Sequence, residues 1–197
     1  MVSTAFRRKA GGMIFHETKL SGAYVVEMQP FQDERGFFAR GWCKHEFEDH
    51  GLKADLCQCN LSGNTKKYTL RGMHYQKPPY AETKFIRCIR GSVYDVIIDL
   101  RKNSETYLQW NGVELTAENR LGYYVPEGFA HGYITLEGNS EVLYLTTEFY
   151  SHEYEDAVRW NDPAFDIQWP VEDLNQLILS EKDRNHRDWD DSRAIVL

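Results

Sequence analysis

Two short stretches decide how this sequence is interpreted: Leu70-Arg71-Gly72-Met73-His74-Tyr75-Gln76 and, further along, Pro126-Glu127-Gly128-Phe129-Ala130-His131-Gly132. Each places a histidine in strand-like surroundings, and the first also contains an arginine. An imidazole can act as a base or as a metal ligand, and a guanidinium can bind phosphate. The chain between them, residues 84–101, is rich in β-branched residues and alternates, which predicts further strands.

Similar segments recur along most of the chain, separated by Gly, Asn, Asp or Pro. They predict strands near residues 22–29, 36–42, 55–62, 68–76, 83–91, 92–100, 106–115, 121–126, 129–136 and 140–150. Helix is predicted only for residues 44–51 and for the tail after Ser180, where the serine offers an N-cap and acidic residues follow. Many short strands with closely spaced turns indicate an all-β protein, an antiparallel sandwich or a jelly-roll barrel.

Length and charge limit the possible functions. A chain of 197 residues suits one domain with a substantial core. We expect residues 1–12 to be a flexible or accessory extension and residues 13–197 to be that domain. The net charge of −7 argues against a nucleic-acid partner. The sequence shows neither an apolar run of membrane-spanning length nor a secretory signal, so we expect a soluble, cytoplasmic protein.

The cysteine pair at Cys57 and Cys59 raises the question of a zinc site. The usual two-residue spacer and a second ligand pair are missing, so the pattern disfavours zinc. In a strand, the two cysteines share one face while Gln58 and Asn60 share the other. We therefore expect buried free thiols on one side and an amide face turned toward a cavity.

From Phe31 to Asp183 the chain resembles the dTDP-4-dehydrorhamnose 3,5-epimerase family of nucleotide-sugar enzymes, through the two histidine stretches and the alternating region between them. The resemblance implies a cupin-type antiparallel jelly-roll barrel with short helices near residues 44–51 and in the C-terminal tail. It also implies epimerisation of a nucleoside-diphosphate 4-keto-6-deoxysugar, at C3 alone or at C3 and C5, without a cofactor.

The resemblance assigns catalytic roles to four residues. His74 matches the family's base, and Asp183 matches the carboxylate that fixes the tautomer of such a base. Lys84 matches the lysine near the keto group, where an ammonium stabilises the enolate oxygen. Tyr144 matches the proton donor on the other face of the sugar, since a phenol is protonated at neutral pH.

The resemblance also implies a set of substrate-binding residues. Arginines and His131 would meet the diphosphate or the sugar hydroxyls, and Tyr150 would stack on the nucleotide base. The full set is Arg35, Arg40, Gln58, Asn60, Arg71, His131, Tyr150 and Glu155. At one place the chain differs from the family. The family usually has a glutamate after the aromatic pair Phe37-Phe38, whereas this chain has Ala39-Arg40. The sequence therefore does not decide whether the nucleotide base of the substrate is thymine, cytosine or guanine.

The stretch around His74 contains a geometric conflict. Regular strand alternation puts Arg71 and His74 on opposite faces of the sheet. If both contact the ligand, Gly72 marks a bulge or a twist.

Two other functions are compatible with the same residues. The Pro126-x-Gly128-x-x-His131 stretch resembles the second box of metal-binding cupins, but the first box has Gln76 where a second histidine would stand. A metal site would need Glu82 or another carboxylate, so we expect none. The other alternative is a catalytically silent cupin that binds a nucleotide sugar.

The open sheet edges of such a fold predict a homodimer. Unpaired strand edges need cover, and a second copy of the chain can provide it. The segment carrying Arg35 and Arg40 is expected to cross into the partner, so that each site borrows a guanidinium.

Overall fold

A computed structural model describes residues 11–197, and most of its regular structure is antiparallel strand. The strands are β1 (Met13–Glu17), β2 (Tyr24–Met28), β3 (Phe31–Asp33), β4 (Gly36–Phe38), β5 (Gln58–Asn64), β6 (Leu70–Gln76), β7 (Lys84–Arg90), β8 (Ser92–Asp99), β9 (Trp110–Thr116), β10 (Gly122–Val125), β11 (Phe129–Thr135), β12 (Ser140–Thr146) and β13 (Glu155–Ala157). The helices are α1 (Lys44–Asp49) and α2 (Glu181–Arg184), with 3-10 turns at Leu174–Gln176 and Asp191–Arg193.

The strands form two main sheets and a separate hairpin. The six-stranded sheet has the order β1-β2-β10-β7-β12-β5, and the five-stranded sheet has the order β13-β6-β11-β8-β9. Strands β3 and β4 pair only with each other. Neighbouring strands within each sheet are antiparallel, and most are far apart in sequence. The expected all-β fold, a cupin-type jelly roll, is confirmed.

Apolar side chains fill the space between the two sheets. Ile86 and Val142 of the six-stranded sheet belong to the same buried cluster as Val93 and Ile97 of the five-stranded sheet. Each such side chain contributes about 1.5–3 kcal/mol when fully buried.

Other segments of the chain cover part of the outer face of each sheet. The C-terminal segment packs on the five-stranded sheet through Phe165, Trp169 and Leu177. Helix α1 packs on the six-stranded sheet through Phe47. Because the central strands are buried on both faces, the cavity described below is one of the few places where polar side chains enter the barrel.

The predicted strands are present, but several of their bounds differ. The strand predicted for 36–42 ends at Phe38, because the chain then turns toward α1, where Arg40 pairs with Glu46. The strand predicted for 140–150 ends at Thr146, whose hydroxyl donates to the carbonyl of Glu148 and closes a turn. Most of the proposed extension, residues 1–10, lies outside the described residues. No helix within residues 11–197 has the length and apolar character needed to cross a membrane.

The predicted irregularity near Gly72 is confirmed. The pairing of β6 with β11 is in register at His74 and His131 but shifts before Tyr133 pairs with Arg71. Gly72 has a φ of +135°, which favours glycine. The shift lets Arg71 and His74 face the same cavity although they are three residues apart.

Candidate active site

A polar cavity of about 290 Å³ opens between the two sheets. Its walls are built by strands β5, β6, β7, β11 and β12 and by the segment that follows β12. The lining residues are Gln58, Asn60, Ser62, Arg71, His74, Tyr75, Gln76, Glu82, Lys84, His131, Tyr133, Tyr144, Thr146, Tyr150 and Glu155. Nine of the twelve residues predicted from sequence are among them.

His74 and Asp183 form a hydrogen-bonded pair at the edge of this cavity. Nε2 of His74 lies 2.6 Å from Oδ1 of Asp183, although the residues are 109 positions apart. A carboxylate accepts here, so Nε2 carries the hydrogen and Nδ1 is left to accept a proton. Ser180 caps α2 by accepting a hydrogen bond from the Asp183 backbone at 3.0 Å. Burial raises the pKa of Asp183, but the hydrogen bond and charge of His74 outweigh it and hold that pKa below its usual value.

A second histidine, His186, approaches the same carboxylate. Its Nε2 lies 3.4 Å from Oδ1 of Asp183, and its ring packs edge-on against His74. Burial, aided by the charge of His74, lowers the pKa of His186. We did not predict this residue from sequence. His186 follows Asp183 by three residues, a spacing that places two side chains on one face of a helix. This spacing was the sequence signal that could have indicated their contact.

Tyr144 faces the cavity from the opposite sheet. It lies on β12, between Asn60 of β5 and Ile86 of β7. Burial, and secondarily the charge of Glu82, raises the pKa of the Tyr144 phenol. The hydroxyl therefore stays protonated at neutral pH and is available as a proton donor.

Lys84 supplies a buried ammonium at the start of β7. Its side chain is only 10% exposed, and Nζ lies 3.0 Å from Oε1 of Glu82. A buried charge needs such a partner. Both residues line the cavity, so the ammonium is placed where a ligand oxygen can also bind it.

His131 is bound to a second, fully buried carboxylate. Nε2 of His131 lies 2.9 Å and 3.0 Å from the two oxygens of Asp95. Burial raises the pKa of Asp95, whereas the neighbouring His131 acts in the opposite direction. The aspartate fixes the orientation of the imidazole.

Arg71 is held by a polar network that we did not predict. Its Nε donates to Oδ1 of Asn64 at 2.8 Å. The Asn64 amide donates to the hydroxyl of Tyr133, which also contacts Ser62 Oγ at 2.8 Å. Arg71 lines the cavity, where its guanidinium can bind an anion.

Tyr150 and Glu155 form the mouth of the cavity. The Tyr150 hydroxyl donates to Oε2 of Glu155 at 2.9 Å, and Lys182 binds the same oxygen at 2.6 Å. The Tyr150 backbone donates to the side chain of Gln58 at 2.8 Å. The ring of Tyr150 is largely exposed and can stack on a planar group.

The amide face of β5 is where we expected it, but the prediction of buried thiols is wrong. Gln58 and Asn60 line the cavity, whereas Cys57 and Cys59 are exposed on the other face. Strand β5 is the edge of its sheet, and Leu61, the next residue on that outer face, is 64% exposed. No layer of the described chain covers that face.

Arg35 and Arg40 do not line the cavity of a single chain. Arg35 stands at the turn of the β3–β4 hairpin, pairs with Asp33 and has an 84% exposed side chain. Arg40 pairs with Glu46 of α1. Contact of these arginines with a ligand, expected across a dimer interface, stays a prediction.

The residues considered for a cupin metal site are paired with other side chains. His131 is paired with Asp95, and Glu82 with Lys84. Among residues 11–197, the group whose donor atoms are close enough to hold an ion is His74, Asp183 and His186. This set differs from the one that sequence reasoning considered.

Fold and site together define a cupin-type barrel equipped with acid and base groups. A carboxylate-bound imidazole on one sheet faces a protonated phenol on the other, and an ammonium lies in the same wall. Such a set suits an enzyme that moves protons between a substrate and its own side chains.

Comparisons with known proteins identify the family. The sequence profile of the dTDP-4-dehydrorhamnose 3,5-epimerase family matches residues 17–191. The epimerase of that name from Methanothermobacter thermautotrophicus is 43% identical over 171 residues, which cover 87% of this chain and 91% of that protein.

Similar crystal structures include complexes with ligands, of which we describe two. The Bacillus anthracis dTDP-4-dehydrorhamnose 3,5-epimerase with TDP and PPi bound superposes with a TM-score of 0.86, at 41% identity over 90% of this chain and 100% of that one. The Legionella pneumophila dTDP-6-deoxy-D-glucose-3,5-epimerase in complex with dTDP-4-keto-L-rhamnose has a TM-score of 0.81, at 34% identity over 87% of this chain and 90% of that one.

The chain belongs to the dTDP-4-dehydrorhamnose 3,5-epimerase family. It is therefore a sugar-nucleotide epimerase, an isomerase of deoxysugar biosynthesis, and the resemblance inferred from its sequence is confirmed.

Proposed function

We propose that this enzyme inverts C3, or C3 and C5, of a dTDP-linked 4-keto-6-deoxysugar by removing a proton on one face and returning one on the other. The hydrogen bond between His74 and Asp183, opposite Tyr144 across the cavity, is the observation that carries the proposal. The dTDP portion is taken from the ligands and names of the relatives.

Proton removal is assigned to His74. The bond between C3 and its hydrogen breaks, the proton passes to Nδ1, and the electron pair moves toward the C4 carbonyl to give an enolate. Asp183, already bound to Nε2, stabilises the resulting imidazolium. Lys84 lies in the cavity wall and stabilises the negative oxygen.

Proton return is assigned to Tyr144. The phenol donates its proton to the carbanion centre from the opposite face, so the configuration inverts. The phenolate then regains a proton from water, and His74 releases one to water. Nothing is oxidised or reduced overall, so the reaction needs no redox cofactor, and Lys84 supplies the charge that stabilises the enolate oxygen.

Substrate binding is assigned to the polar groups around this centre. Arg71 and His131 are placed to bind the diphosphate or sugar hydroxyls, and Tyr150 to stack on the base. Gln58, Asn60 and Glu155 supply further hydrogen-bonding groups at the cavity wall and mouth.

A homodimer would bring the two remaining arginines to the site. The β3–β4 hairpin exposes Phe31, Phe37 and Phe38, which are 58%, 51% and 68% exposed. Adjacent exposed aromatic residues are typical of an interaction surface. If this hairpin packs on a second copy, Arg35 at its tip and Arg40 behind it enter the neighbouring cavity.

The decisive experiment is incubation of the enzyme with dTDP-, CDP- and GDP-linked 4-ketosugars in deuterated water. NMR spectra then show which carbons acquire deuterium and which are inverted. We expect deuterium at C3 with inverted product, and the fastest turnover with the dTDP sugar. Binding without deuterium incorporation would instead indicate a catalytically silent cupin.

A further inference from the structure

The carboxylate of Asp183 faces two imidazoles rather than one. Nε2 of His74 lies 2.6 Å and Nε2 of His186 lies 3.4 Å from the same oxygen, Oδ1. The three donor atoms all lie within 4.8 Å of one another. His186 neither lines the substrate cavity nor has a part in the proposed reaction, so its position beside Asp183 needs another explanation.

We propose that His74, Asp183 and His186 bind a divalent transition metal ion of the zinc class, and that the bound ion switches off His74 as a base. Two imidazole nitrogens and one carboxylate oxygen suit such ions, and a fourth position stays open for water. Nε2 of His186 is buried and has no aligned hydrogen-bond partner among the described residues. A buried polar atom of this kind is uncommon, and a metal ion would satisfy it.

The observed distances are close to those that an ion requires. Zinc binds imidazole nitrogen and carboxylate oxygen at about 2.0–2.2 Å, so tetrahedral ligand atoms stand roughly 3.3 Å apart. The contact between His186 and Asp183, at 3.4 Å, already matches. The distance from Nε2 of His74 to Oδ1 of Asp183 must lengthen from 2.6 Å. The His74 side chain is 34% exposed, so it has room to shift.

The ion can reach this site without crossing the substrate cavity. A second cleft, lined by His152, Glu155, Asp156, Ala157, Lys182 and His186, includes one of the three proposed ligands, His186. Its carboxylates are paired with cations, Glu155 with Lys182 and Asp156 with Arg193. They do not compete as ligands, so binding depends on the three donors around Asp183.

Loss of activity follows from the tautomer of His74. In the metal-free pair, Nε2 carries the hydrogen and Nδ1 can accept a proton. An ion bound at Nε2 displaces that hydrogen to water, and Nδ1 takes up one proton, so the ring stays neutral. Nδ1 then carries a hydrogen and cannot accept the substrate proton. The metal site stands on geometry alone, whereas this loss of activity rests on the function proposed for His74.

Binding is tested first with cobalt, which reports four-coordination through intense visible absorption. Chelator-treated protein is titrated with Co²⁺ and then with competing Zn²⁺. We expect one Co²⁺ per chain in the wild type and affinity weaker by more than about 100-fold in His186→Gln. Loss of a residue that only hydrogen-bonds to a metal ligand already lowers metal affinity by about 10- to 100-fold, so loss of a ligand itself should lower it further.

Two further variants complete the binding test. His152→Ala removes a histidine of the same cleft that is not a proposed ligand, and it should bind Co²⁺ like the wild type. Asp183→Asn should lose binding even if His186→Gln fails to fold. Absence of binding by the wild type, or unchanged affinity in a folded ligand variant, overturns the proposal.

Activity is tested separately by solvent deuterium exchange. Saturating Zn²⁺ should slow deuterium exchange by the wild type by more than about tenfold, and EDTA should restore the original rate. His186→Gln should catalyse exchange and should not be inhibited by Zn²⁺. His152→Ala at the same free Zn²⁺ controls for metal bound to the substrate diphosphate. An activity that rises with Zn²⁺ overturns the proposal in favour of a metal-dependent enzyme. If the proposed epimerase function fails, no exchange occurs at all, yet the cobalt titration still decides whether the site binds metal.

Discussion

A Cβ atom on Gly72 would lie only 2.5 Å from Cα of Gly132 on the neighbouring strand. This close approach of β6 and β11 occurs where their pairing shifts register. Glycine at both positions therefore permits the shift that turns Arg71 and His74 to one cavity.

Gly72→Ala should destabilise the fold and disturb the site. The added Cβ meets backbone rather than a flexible side chain, and the φ of +135° disfavours any other residue. We expect the free energy of unfolding to fall by about 1–3 kcal/mol, measured by urea denaturation. Gly63→Ala on β5 is the control, because a Cβ there meets nothing within 4 Å. Equal stability of the two variants would contradict this account.

His74→Asn should abolish deuterium exchange at C3. The amide keeps a polar group beside Asp183 but has no basic nitrogen to take the proton. We expect exchange slower by about 10²- to 10⁴-fold or more, with dTDP affinity, measured by calorimetry, largely unchanged. Exchange at the wild-type rate would remove His74 from the mechanism.

Tyr144→Phe should separate the two halves of the reaction. The ring remains and the donated proton is lost, so His74 can still remove the C3 proton and return deuterium to the same face. We expect deuterium in the recovered substrate without inverted product, read by NMR. Inverted product at the normal rate would mean that another group or a water molecule is the acid.

Asp95→Ala should be costly to stability because it leaves His131 buried without its partner. Loss of one partner from a buried hydrogen bond leaves the other polar group unsatisfied and typically costs about 1–3 kcal/mol. Asp95→Asn keeps an oxygen acceptor for Nε2 of His131, so this variant should lose less stability than Asp95→Ala. Urea denaturation measures both, and an alanine variant as stable as the wild type would show that the pair contributes nothing.

Mixing two inactive variants should restore activity if the β3–β4 hairpin crosses between chains. An Arg35→Ala chain combined with a His74→Ala chain gives heterodimers with one complete site. Random exchange then restores about a quarter of all sites. Light scattering checks the assembly, and subunit exchange is verified independently. An active monomer, or no recovery after confirmed exchange, would contradict the shared site.

Most strands and the cavity face were predictable because strand alternation is local, whereas the short strands β1, β3 and β13 were not predicted. Gln58 and Asn60 alternate with the cysteines, and the structure turns the amides inward as the alternation requires. The burial of the cysteine face of β5 could not be predicted from the local sequence, because it depends on the position of β5 at the edge of its sheet. Cys57 and Cys59 are exposed for that reason.

Contacts between distant parts of the chain were the hardest to predict. The pairing of His74 with Asp183 was expected only through resemblance to a family, since no local pattern joins residues 109 apart. The network around Tyr133 depends on three strands meeting at one point, and its members resemble ordinary core residues in sequence. The exposed position of Arg35 depends on the projection of the β3–β4 hairpin, which residue types do not specify.

The carboxylate that pairs with His74 is made after the residues of the pocket. All the residues that line the cavity lie between positions 58 and 155, whereas Asp183 follows them in the sequence. On the ribosome, the sequence of the pocket therefore emerges before the group that sets the tautomer of its base. A nascent or truncated chain ending before Ser180 has the residues to hold a ligand but lacks the complete proton-transfer pair. On the proposed function, catalytic competence therefore requires synthesis to have passed Asp183.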